Sequence, residues 1–71
     1  MEITYDNEAD AMYIRFKKGK FHKNKKIDDN TIIDLDGKGQ ILGIELLFVS
    51  KRIPLESLKE VSVKNLLVSK A

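Results

Sequence analysis

A chain of 71 residues with formal charge +2, 42% hydrophobic and 34% charged, with no cysteine, makes one domain at most, too apolar to stay disordered. The missing cysteines exclude disulfides, thiol chemistry and Cys-ligated zinc or iron–sulfur sites. No apolar run approaches the ~20 residues of a membrane span, and the opening MEITYDNEAD is too acidic for a signal or transit peptide, so a single cytoplasmic domain over residues 1–71 is expected.

Residues 2–6 alternate, with Ile3 and Tyr5 on one face, and predict a short strand. Asp6 to Asp10 reads as a turn, because Asp and Asn bond their own backbone. Residues 11–17 predict a second strand with Met12, Ile14 and Phe16 inward, and Lys18-Gly19 turns it into a polar third strand over 20–27. Asp28-Asp29-Asn30 is the next turn, Thr31–Asp36 a fourth strand, and Gly37-Lys38-Gly39 closes a hairpin into 40–49. That fifth segment is apolar on both faces: Leu42, Ile44, Leu46 and Phe48 on one, Ile41, Leu47 and Val49 with Gly43 and Glu45 on the other. It belongs at the centre of a sheet covered on both sides. Pro54 opens a short helix over 54–60, and 61–69 reads as further helix, with strand as the competing assignment. The expected core is Ile14, Phe16, Ile33, Leu35, Leu42, Ile44 and Leu46. The fold class is α+β, a meander of four to five antiparallel strands with a C-terminal helix.

A core of this size rarely supplies more than ~3–5 kcal/mol, and one helix covers one sheet face. A homodimer through Ile41, Leu47 and Val49 is therefore the expected device for the other. Charge is segregated as well. Arg15, Lys17, Lys18, Lys20, Lys23, Lys25 and Lys26 fall in twelve residues without an acid. As a hairpin of 11–17 with 20–27 they predict a basic ribbon for nucleic acid or an acidic partner, with Tyr13, Phe21 and His22 as stacking rings. The competing reading is a lysine-guarded sheet edge.

The segments Tyr5-Asp6-Asn7-Glu8-Ala9-Asp10-Ala11-Met12-Tyr13-Ile14 and Asp34-Leu35-Asp36-Gly37, running on to Gly43-Ile44-Glu45-Leu46-Leu47 and Ser50, resemble the YuzE-like family, domain of unknown function 2283, over about residues 3–58. Tyr5, Asp6, Glu8, Ala9, Asp10, Tyr13, Asp36, Gly43, Glu45 and Ser50 carry the motif. The resemblance implies a small α+β domain with no established enzyme activity. It also implies an antitoxin-like role toward a small toxin-like partner.

Candidate chemistry in the residues themselves is thin. The acidic turn Asp6, Glu8, Asp10 and the run Asp34-x-Asp36-Gly37 offer oxygen ligands but not the full set of a calcium loop, and turn bonding explains them without a metal. Glu45 in an apolar strand predicts a bonded or ion-paired carboxylate, with Arg15, Arg52 or a turn amide as partner. No nucleophile with a base beside it is present, and Gly37-Lys38-Gly39 is too short to cradle phosphate. The sequence therefore predicts a noncatalytic interaction module without cofactor or metal, with nucleic-acid binding through 15–26 as the alternative.

Overall fold

The computed structural model describes residues 1–65. β1 (Glu2–Asp6), β2 (Ala11–Arg15), β3 (Phe21–Asp28), β4 (Thr31–Asp36) and β5 (Ile41–Leu47) form one antiparallel sheet in the order β1-β2-β5-β4-β3. The doubly apolar β5 takes the centre, as its composition requires. A 3-10 turn, Val49–Lys51, and a one-turn helix α1, Leu55–Leu58, follow. The α+β expectation holds in outline, with the balance strongly toward β.

The simple meander does not form. β2 and β3 lie apart, separated by β5 and β4, so there is no hairpin between 11–17 and 20–27. β2 ends at Arg15, and the Phe16 N–H donates to the Leu42 carbonyl at 2.8 Å, which continues the pairing with β5. The chain then crosses the sheet over Leu42. A Cβ on Gly19 would stand 2.6 Å from Leu42 Cδ2, so a larger residue at this crossing would have to push the Leu42 side chain aside. The physical reason is apolar content: Ile41–Leu47 can fill an inner position beside β2, whereas the lysine-rich β3 suits an edge.

Register defines two unlike faces. Ile3, Ile14, Ile44 and Ile33 form one row across four strands, flanked by the row Tyr5, Met12, Leu46 and Thr31. Leu35 pairs with Ile41 on the same side, beyond an irregularity at Asp34/Leu35. The opposite face carries Thr4, Tyr13, Glu45 and Ile32 in one row, and Glu2, Arg15, Gly43 and Asp34 in the next. The irregularity leaves Leu42 without a register partner and turns it to this second face, where it shares a groove with Tyr13 and Asp34.

Burial departs from the expected core. Among the described apolar side chains only Met12 (8% exposed), Leu42 (5%) and Val49 (0%) are buried. Leu42 is as expected, but Ile14, Ile33, Leu35, Ile44 and Leu46 are half-buried and Phe16 is exposed. The cause is the missing lid. The helix is a single turn rather than 54–60, and of its two leucines Leu55 is 54% exposed and Leu58 only half-buried. Residues 61–65 are exposed and neither helical nor extended into a sheet, which corrects the helix expected from 61; residues 66–69 of that assignment lie outside the described residues. No helix among the described residues is long and apolar enough to cross a membrane.

Candidate functional site

The motif residues assemble first as a turn lock. Asp6 Oδ1 accepts the N–H groups of Glu8 (2.9 Å) and Ala9 (3.2 Å), shaping the β1–β2 turn. Asp10 closes that turn with φ 52, in the left-handed region that Asp tolerates better than most residues. Its carboxylate accepts the Tyr5 hydroxyl at 2.8 Å, the Ser50 N–H at 2.9 Å and the Ser50 hydroxyl at 2.7 Å. The Val49 N–H donates to the Asp10 carbonyl at 3.0 Å. Residues forty positions apart are thus clipped together, and Val49 is driven to full burial inside the chain. Val49 is therefore no part of a free dimer surface, which corrects that expectation.

A second set crosses the centre of the sheet. The Tyr13 hydroxyl reaches over β5 to donate to Asp34 Oδ2 at 3.1 Å. Only glycine permits this passage: a Cβ on Gly43 would meet the Tyr13 ring and stand 2.7 Å from the Ile14 carbonyl oxygen. Asp34 is the partner that sequence reasoning missed. The available signal was its place two strands from Tyr13 on the same face, which needs the strand order. Asp36 Oδ1 accepts the Lys38 and Gln40 N–H groups, each at 2.9 Å, and builds the β4–β5 hairpin. Glu45 lines an open groove of about 350 Å³ with Thr4, Tyr13 and Met12. Its suggested partners are engaged elsewhere, Arg15 with Glu2 at 2.8 Å and Arg52 with the Asn30 carbonyl at 3.0 Å.

These carboxylates respond to their donors. Asp10 is held below the ordinary carboxylate range, chiefly by the Ser50 hydroxyl, then the Ser50 amide and Tyr5. Asp36 is lowered chiefly by the Gln40 amide, and Asp28 by the Asn30 amide and the Thr31 hydroxyl. A lowered native value stabilises the fold above the unfolded carboxylate value near ~4, and that contribution is lost as pH falls through the native values. Tyr5 is raised, chiefly by its bond to Asp10, and Tyr13 by burial and then its bond to Asp34. Their contributions are complete below the unfolded value near ~10 and fade as pH rises through the raised ones. Urea midpoints should therefore fall below about pH 4 and again above about pH 10. Asp10→Asn should flatten the acid limb, and an unaltered acid limb would remove Asp10 from the account.

The basic block is dispersed. Arg15, Lys17 and Lys18 border a groove of about 340 Å³ with Tyr13, Phe21 and Asp34. Lys17 also lies 3.6 Å from Asp36, and Lys26 pairs with Asp29 at 3.3 Å. Lys23 and Lys25 pair with Leu35 and Ile33, at the rim of the isoleucine face, while Lys26 pairs with Ile32 on the opposite side. Lys20 lines a third groove with His22 and Asp36. The expected single ribbon does not exist, because its two strands are not neighbours.

Of the expected dimer residues, Ile41 is 42% exposed on the isoleucine face and Leu47 is half-buried on the opposite one. On the face expected to be core, Ile3 is exposed and Ile14, Ile33, Leu35, Ile44 and Leu46 are only half-buried. Among the described residues no group of His, Cys, Asp and Glu is placed to hold a metal ion.

A family model described as Protein of unknown function (DUF2283) matches residues 2–50. A search of curated proteins and a search of solved structures return no match. The match is shorter at its C-terminal end than the expected 3–58. It takes in all five strands and stops at Ser50, the residue that closes the Asp10 lock. Both bonded motif sets fall inside it, and the chain belongs to the DUF2283 family of proteins of unknown function.

Proposed function

We propose that the chain is a noncatalytic protein-interaction module whose working surface is the isoleucine face. One observation carries this reading: the row Ile3, Ile14, Ile44, Ile33 crosses four strands, and among the described residues Ile3 stays 40% exposed and the other three only half-buried. Contiguous exposed apolar surface rimmed by polar residues marks an interaction site. The polar groups that chemistry would need are instead used for structure, Asp10 and Asp36 in turns and Tyr13 with Asp34 across the sheet. An antitoxin-like role is one case of such a module, a noncatalytic chain that occupies a partner's surface. The cysteine-free sequence fits work in the cytoplasm, where disulfides rarely persist.

Nucleic-acid binding is the second reading, favoured by one feature: Lys18, Lys20, Lys23 and Lys25 have no acidic group within 4.0 Å among the described residues. Tagged chain expressed in cells, captured and washed at low and high salt, separates the two. The interaction reading expects protein, whether another chain or an untagged copy, retained at both salts and lost with Ile33→Lys. Nucleic acid retained at low salt and released at high salt, with Ile33→Lys unaffected, would replace it. In that case Lys23→Gln with Lys25→Gln should flatten the salt slope by ~0.9 per lost phosphate contact on duplex DNA.

A further inference from the structure

We propose that the isoleucine face seats a second copy of this chain, sheet against sheet about a two-fold axis; this rests on reading that face as the working surface. Surface area supports the occupant. A folded monomer of 8.1 kDa should expose about 4,500 Å², whereas this chain exposes 6125 Å². The exposed strand β3, the exposed residues 59–65 and the isoleucine face, where Ile3 is 40% and Ile41 42% exposed, all contribute to the excess of roughly 1,600 Å². A standard interface needs about 800 Å² from each partner. The radius of gyration, 14.3 Å, likewise exceeds the ~11 Å of a packed chain this long, and the smallest extent of the molecule is 17 Å.

The face is also suited to its own image. Its side chains from β1, β2, β5 and β4 are uncharged, so apposing two copies buries no ion, and two such sheets pack about 10 Å apart with interdigitated side chains. Lys23 and Lys25 stand at its β3 margin, which gives an apolar centre with a charged rim. Two other ways of satisfying the sheet are weaker. Edge pairing of β3 with β3 would set Lys23, Lys25 and Lys26 of one copy against the same lysines of the other. The apolar tail residues Leu66, Leu67 and Val68 lie outside the described residues and are three side chains against the two rows of the face.

Sedimentation velocity from 1 to 100 μM (about the range over which a modest dimer assembles) tests the proposal. The expected result is twice the 8.1 kDa chain mass, an unfolding midpoint that rises with protein concentration, and conversion to monomer by Ile33→Lys. Ile3→Lys, at a position already 40% exposed, gives the same test where folding is not at stake. Leu47→Lys, on the opposite face, should leave the dimer intact. A single-chain mass at the highest concentration overturns the proposal, as does a dimer that survives Ile3→Lys and Ile33→Lys but is lost with Leu47→Lys. A monomer that still captures other proteins through Ile33 keeps the interaction reading and loses only the second copy. A monomer that captures none loses both.

Discussion

Leu42→Ala is expected to cost about 2–5 kcal/mol, the range for emptying a buried aliphatic site. Leu42 is 5% exposed, sits on the central strand and lies beneath the crossing at Gly19. It is one of three buried apolar side chains among the described residues, so little else can collapse into the space it leaves. A small domain holds only about 5 kcal/mol or slightly more in total, and the variant should populate the unfolded state at ambient temperature. Circular dichroism against temperature checks this, with about 4–8 °C of midpoint lost per kcal/mol. Ile44→Ala measured in parallel at low concentration should cost less, because Ile44 is half-buried in one chain. The gap should narrow as concentration rises and the second copy covers Ile44. Equal costs at every concentration would contradict the face assignment.

Gly43→Ala should be the second large effect, about 1–3 kcal/mol from overpacking. The new methyl group has nowhere to go: on one side is the Tyr13 ring, on the other the Ile14 carbonyl oxygen at 2.7 Å. The ring could swing aside, but only by breaking its bond to Asp34, and the carbonyl belongs to the β2–β5 ladder. Tyr13→Phe isolates the hydroxyl and should cost about 0.5–1.5 kcal/mol. The double variant Gly43→Ala with Tyr13→Ala should cost less than the sum of its parts, since removing the ring removes one of the two obstacles. Strict additivity would mean that the ring does not constrain Gly43.

Local structure was legible in the sequence where a short-range pattern decides it. The alternation in residues 2–6 and 31–36, the Asp-rich turns and the central place of β5 all follow from residue types a few positions apart. The strand order was not legible, because Lys18-Gly19 fits a tight turn as well as a crossing, and it is the apolar content of Ile41–Leu47, more than twenty residues later, that takes the place beside β2. From that one ambiguity came the basic ribbon that does not form. Leu42 was placed on the wrong face because a single irregularity shifts the alternation by one residue, which period-two reading cannot anticipate. The motif residues were visible as a list, but their purpose was not: the Asp10 lock needs Ser50 brought back forty positions by the sheet. The open isoleucine face was read as core because hydrophobic patterning marks what will be covered without saying by what.

The most direct measurement is an isotope-mixed NMR sample, half the chains carrying labelled methyl groups, with cross-relaxation filtered for contacts between different molecules. Intermolecular contacts are expected from the methyl groups of Ile14, Ile33 and Ile44, which share one row of the sheet, and none from Ile32 or Leu47 on the opposite face. Contacts confined to Ile32 and Leu47, or no intermolecular contacts at concentrations where the chain is fully folded, would contradict a dimer through the isoleucine face.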